Sequence, residues 1–228
     1  MTKETLLLTI AVLGGTGKEG KGLAYRWAKA GYRILIGSRS SEKAVKAASE
    51  IMELLEGSSS VVGTTNLEAA GQADIVVLTV PFAAHRETLE SVKEALKGKI
   101  LVDVTAPLVP PKVSKVQMPP AGSAAQEAKE IVGEEVEVVA AFQSVSHEHL
   151  LGEENIECDV LVTGTSKKAR TEVLTLVEAA GLTGWDAGPI ENSVVVEGLT
   201  SVLININRIY GSKHSGIKIT GVSKQPTE

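Results

Sequence analysis

Cysteine is nearly absent from this chain of 228 residues, where Cys158 stands alone. A single thiol makes no internal disulfide, which argues against a stapled secreted scaffold and fits a reducing compartment. No apolar run approaches the roughly 20 residues that span a bilayer. The longest near the start, Leu6 to Leu13, runs into Gly14-Gly15 without a small-residue cleavage site, so it reads as a strand and not a signal peptide. An excess of one charge is also lacking. The 23 Lys+Arg against 28 Asp+Glu leave a net −5, too little basic field to attract a phosphate backbone, and nucleic acid is not expected as a partner. Metal-ligand spacings are missing: His147-x-His149 and Cys158 supply ligand types, but neither Cys-x-x-Cys nor His-Glu-x-x-His occurs. No G-x-S-x-G elbow points to a serine hydrolase. What remains is a cytoplasmic, non-membrane protein of one large domain, or of one domain with an appendage.

Within that frame, short apolar runs alternate with helical patterns. Strands are expected at Leu8 to Leu13, Arg33 to Gly37, Val61 to Thr64, Asp74 to Val80, Ile100 to Thr105, Glu137 to Phe142 and Asp159 to Thr163. Most are continuous Val/Ile/Leu/Ala stretches without polar alternation, as in a parallel sheet covered on both faces. Helices are expected at Gly20 to Ala30, Ser41 to Leu55, Ala84 to Leu96, Ser123 to Val132 and Lys167 to Ala180. Ser41 is placed to cap the second, with Ala44, Ala47, Ala48, Ile51 and Leu55 facing the sheet. The alternation gives an α/β fold, a doubly wound, mostly parallel Rossmann-type sheet. It occupies residues 1–188, and residues 189–228 form a small C-terminal helical extension. There, Val195, Leu199, Val202, Ile206 and Ile209 make one apolar face, and Val196, Leu203 and Ile204 a second. Such a helix lies either between the sheet domain and a second subunit or simply over the monomer core. Gln225 to Glu228 read as a frayed terminus.

Gly15-Thr16-Gly17-Lys18-Glu19-Gly20 matches G-x-G-x-x-G between the first strand and the first helix. Gly15 permits the tight turn, Gly17 lets the backbone approach a pyrophosphate, and Gly20 lets the helix pack close on the strand. The pyrophosphate would meet free N–H groups and the positive end of the helix dipole. An NAD site usually carries Asp or Glu at the end of the second strand. Here that place reads Gly37-Ser38-Arg39-Ser40-Ser41, with Lys43 beyond. Arg39 offers a fork of donors to a 2′-phosphate, Ser38 a further hydrogen bond and Lys43 a charge, so NADP is preferred to NAD. The alternative is that Arg39 and Lys43 are solvated surface charges. Phe82, one of two phenylalanines, follows the fourth strand, where the sheet's carboxyl edge lines a cofactor crevice; it either meets ligand or fills core. Arg86 is by default a surface charge. The Pro-rich stretch from Pro107 to Pro120 either shapes a ligand or stiffens a connection. The polar loop Phe142 to His147 follows another strand end and suits a planar second substrate, while His147 either donates a proton or is merely solvated.

The segments IAVLGGTGKEGKGLA, ILIGSRSSEKA, DIVVLTVPF, DAGPIENS and NRIYGSKHSGIKITG together resemble the F420H2:NADP oxidoreductases, in the same order and through nearly the whole chain. The resemblance implies hydride transfer between NADP(H) and the deazaflavin coenzyme F420. It implies further that Thr16 to Glu19 hold the pyrophosphate and that Ser38, Arg39 and Lys43 hold the 2′-phosphate. Phe82, Arg86, Pro111, Ser146 and His147 would lie along the nicotinamide half, and Ser215 where nicotinamide and deazaflavin meet. A homodimer is implied as well. The chain departs from the archaeal form, which has Trp where Phe82 stands, His near Gln143 and Pro near Ser146. Because the two rings carry the reactivity, no catalytic side chain is assigned; the protein must hold donor and acceptor carbons about 3–3.5 Å apart. Two other readings are a small NADP-dependent reductase of an imine such as pyrroline-5-carboxylate, or a carbonyl, and a non-catalytic NADP sensor.

Overall fold

A computed structural model describes residues 8–57, 59–152 and 156–223. Leu6 and Leu7 of the first apolar run, and the terminal Gln225 to Glu228, lie outside them. The elements run β1 (Thr9–Leu13), α1 (Lys18–Lys29), β2 (Arg33–Ser38), α2 (Ser41–Leu54), β3 (Val61–Thr65), α3 (Asn66–Gln72), β4 (Ile75–Leu78), α4 (Phe82–Val92), β5 (Ile100–Asp103), α5 (Ala124–Val132), β6 (Glu137–Ala140), β7 (Asp159–Gly164), α6 (Lys167–Ala179), β8 (Thr183–Pro189) and α7 (Ser193–Tyr210). They build one eight-stranded sheet in the order β3-β2-β1-β4-β5-β6-β7-β8. All neighbours pair in parallel except β6 and β7, which are antiparallel.

The alternation within β1 shows why its sequence is apolar throughout. Ile10 and Val12 join one core with Trp27 of α1 and Ile51 of α2, whereas Ala11 and Leu13 join the other with Leu89 of α4 and Ala128 of α5. Helices therefore cover both faces, and the central strands β1, β4 and β5 bury both sets of side chains. Trp27 also donates its Nε1–H to the Leu176 carbonyl at 2.8 Å, tying α1 to α6. Gly31 and Gly181 close α1 and α6 with φ of 97° and 77°, where a side chain would be strained.

Several local expectations shift. Ser40, not Ser41, caps α2, accepting from the Lys43 amide. Helix α3 and strand β8 were not foreseen. On α7, Val196 and Leu203 are buried, whereas Val195 and Ile209 are each 64% exposed. Of its two apolar faces, only one finds cover among the described residues. Cys158 is a buried free thiol whose pKa is raised, chiefly by that burial.

Candidate functional site

Strands β2, β1, β4 and β5 run parallel, so their carboxyl ends lie along one edge. The chain leaves β1 toward β2 on one side, while β4 adds on the other, and this reversal opens a crevice. A groove of about 670 Å³ lies there, lined chiefly by the segments that follow those four strands. Its volume is that of a ligand site.

The first wall is the glycine turn. The left-handed residue is Gly14, with φ of 71°, so the tight turn belongs to Gly14 and not to Gly15 as expected. Gly15 is needed for a different reason: a Cβ there would come within 2.7 Å of the Val12 carbonyl oxygen. A Cβ on Gly20 would lie 2.5 Å from Thr79 Oγ1 and 2.8 Å from the Gly15 Cα, so this glycine lets α1 close on the end of β4. Helix α1 is capped by Gly17 with no side-chain hydrogen bond. Its first amides are thus left to an anion.

Thr16, Gly17, Lys18 and Glu19 line the groove together with Ser38, Arg39, Lys43 and Phe82. Gly15 and Gly20 support the turn from behind. Ser38 is buried and accepts from the Ser40 amide at 3.3 Å, while Arg39 and Lys43 are exposed at the groove's rim. Arg86 is 57% exposed and reaches Glu127 at 3.2 Å; it stands off the lining, as does exposed Pro111, whose neighbour Pro110 is on it. Ser146 and Ser215 line a separate hollow of about 190 Å³. There Ser146 Oγ donates to the Lys213 carbonyl and Ser215 Oγ to that of Leu203. His147 opens a short 3₁₀ turn, with Nε2 3.9 Å from Glu148.

Of the other lining residues, Thr79 stands on the fourth-strand edge and Gln143 in the polar loop that the sequence points to, whereas Asn66, Thr105 and Thr200 escape it. Asn66, at the start of α3, accepts from the Gly14 amide at 3.4 Å, and Thr79 donates its hydroxyl to the Leu13 carbonyl at 2.9 Å. Thr105, Gln143 and Thr200 form the far end. Gln143 Nε2 donates to the Asp103 carbonyl at 2.8 Å, and Thr200 Oγ1 donates to the Gln143 carbonyl at 2.9 Å. Beneath them lies a buried polar brace. His85 Nε2 is 2.7 Å from Asp103 and Nδ1 3.3 Å from Glu127, and the Phe82 ring lies 5.8 Å from the His85 ring. Burial works against a charged His85, but Asp103 and Glu127 outweigh it and raise its pKa. Glu197 of α7 accepts from the Ala124 and Ala125 amides at 2.6 and 3.0 Å. Burial, reinforced by Asp103, pushes this carboxyl up to about 8.

The family model for NADP oxidoreductase, coenzyme F420-dependent, matches residues 9–107. An F420-dependent NADP reductase of Methanocaldococcus jannaschii is 39% identical over 223 residues, spanning 94% of this chain and 99% of the relative. The chain belongs to the F420-dependent NADP reductase family. Another member, from Methanothermobacter marburgensis, is 40% identical over 94% of this chain and 99% of its own length. A solved structure from Arthrobacter sp. FB24, provisionally assigned as an F420-dependent NADP reductase, superposes with a TM-score of 0.77 at 25% identity. It is covered over its whole length, and 94% of this chain is covered. A pyrroline-5-carboxylate reductase from Coxiella burnetii shares the fold alone, with a TM-score of 0.59 at 14% identity. This chain covers 90% of itself but only 69% of that enzyme. Among the described residues no helix is long and apolar enough to cross a membrane, and no cluster of metal-ligating side chains occurs.

Proposed function

We propose that this protein transfers hydride between NADP(H) and coenzyme F420. The observation that carries the reading is the match, nearly end to end, to reductases of that name. The groove fits a dinucleotide: glycines leave room for backbone approach, uncapped amides face an anion, and cations stand at the β2 end where a 2′-phosphate would lie. When bound, the nicotinamide and deazaflavin rings supply the redox chemistry between themselves.

The chain's own part is to bind, orient and exclude water. Thr16 to Glu19, behind Gly15 and Gly20, would carry the pyrophosphate. Ser38, Arg39 and Lys43 would select the phosphorylated ribose. Phe82 would form the apolar floor of the ring-binding half, and Arg86, Pro111, Ser146, His147 and Ser215 would border that half. We assign no catalytic side chain. Residues 189–228 would complete the deazaflavin site upon the domain of residues 1–188, a reading supported by Thr200 on the groove wall.

A homodimer is part of the same proposal. The stripe Val195, Val202, Ile206 and Ile209 is 37–64% exposed along one side of α7, and a second copy would cover it. Introducing a charge there, as in Ile209→Glu, should shift the sedimentation coefficient to that of a monomer; an unchanged value would exclude this face. We place the protein in the cytoplasm, with redox coenzymes rather than nucleic acid or membrane as partners. Mixing protein, NADPH and oxidised coenzyme F420 tests the function: the visible absorbance of the deazaflavin should bleach. Reduction of an imine by NADPH with no bleaching of coenzyme F420 would replace this reading.

A further inference from the structure

Among the described residues, four charged ones line the groove: Lys18, Glu19, Arg39 and Lys43. Three suit an anionic nucleotide and one does not. Glu19 is the second residue of α1, inside the turn where the nucleotide's most concentrated charge is read to lie. It is half-buried, and among the described residues its carboxyl has no hydrogen-bond donor and no ion-pair partner. Lys21, on the same helix, is engaged by Glu50 at 2.8 Å. The facing walls, from β4, α4 and the segments after β5 and β6, contribute neutral residues such as Thr79, Phe82, Thr105 and Gln143.

An ionised carboxylate without partners repels a pyrophosphate, and a low-dielectric groove strengthens that repulsion. A neutral carboxyl removes it and adds an O–H donor for a phosphate oxygen. We propose that Glu19 couples nucleotide binding to proton uptake, so that the groove takes NADPH with this carboxyl protonated. The inference rests on the groove being the nucleotide site. Burial alone already pushes Glu19 up to about 8, and a nearby pyrophosphate raises it further. Below pH 8 the free protein carries the proton and binding costs nothing extra; above it, binding must recover the proton and weakens by up to tenfold per pH unit. A 2′-phosphate, with a second pKa near 6, is almost fully ionised from pH 7 upward and adds little to this range.

The test is calorimetric titration of the whole protein with NADPH, at pH 7 and pH 8.5, in two buffers of different ionisation enthalpy. The wild type should take up little proton at pH 7 and about 0.5–0.8 per nucleotide at pH 8.5, given a free-state value of about 8. Glu19→Gln should take up none at either pH and keep a constant Kd where the wild-type Kd rises. Tight binding by the wild type without proton uptake, or uptake retained in Glu19→Gln, would overturn the coupling while leaving the nucleotide site intact. Failure of the wild type to bind NADPH at either pH would overturn the site reading, and the coupling with it.

Discussion

Gly20→Ala is the smallest change that should open the nucleotide turn. The new methyl carbon would sit 2.5 Å from Thr79 Oγ1 and 2.8 Å from the Gly15 Cα, both well inside van der Waals contact. Thr79 cannot swing away freely, because its hydroxyl donates to the Leu13 carbonyl at 2.9 Å. The backbone at Gly15 is held by its own amide, bonded to the Gly37 carbonyl at 3.1 Å. Overpacking of this kind costs about 1–3 kcal/mol, offset in part by the better helix propensity of Ala, at most about 1 kcal/mol. A net loss of roughly 1–2 kcal/mol lowers the Tm of a domain this size by about 2–8 °C. The displaced turn should also raise the Kd for NADPH about tenfold, the equivalent of about 1.4 kcal/mol. Thermal melts and a fluorescence titration read the two effects. Removing the blocking hydroxyl in Gly20→Ala/Thr79→Ala should make the double variant less impaired than the sum of the singles, since the two sites are in contact. A single variant that melts and binds like the wild type would refute the argument from close packing.

Two further perturbations address charge. Arg39→Ala should raise the KM for NADPH about tenfold, the lower end for a charge-assisted contact because Arg39 is exposed, and leave that for NADH within about twofold; equal changes in both would leave the 2′-phosphate assignment without support. Glu197 keeps its proton in the fold up to about 8, whereas the unfolded chain loses it near 4.5. Its stabilising effect is therefore complete below that lower value and declines as pH rises toward 8. Glu197→Gln should flatten the fall in Tm between pH 5 and pH 7.5, and an undiminished slope would show that the carboxyl is ionised in the fold.

The sheet was legible because it is covered on both faces, which forces β1, β4 and β5 into unbroken apolar runs. Edge strand β8 escaped because it is only half-buried, and Gly184, Asp186 and Gly188 dilute its pattern. Helix α3 left a readable sign, the capping box of Thr65 and Glu68 ahead of Ala69 and Ala70, but seven residues are too short for periodicity to register. The site divides along the same line. The glycine turn and Ser38 to Lys43 are contiguous in sequence, and their chemistry is local. Asn66 and Thr200 meet the groove only through long-range contacts, such as the one from Thr200 to the Gln143 carbonyl, 57 residues away. No local pattern announces those. The His85–Asp103 pair was hidden likewise, since a lone His on a helix carries no mark of the carboxylate that folding brings to it.

Hydride should pass directly between the two rings, held in one groove. Single-turnover reaction of the protein with coenzyme F420 and NADPH deuterated at both C4 positions, followed by mass spectrometry of the reduced coenzyme, tests this most directly. One deuterium should be retained on C5 of the deazaflavin in ordinary water. Deuterium lost to solvent while the coenzyme is reduced, or a coenzyme left oxidised, would contradict it.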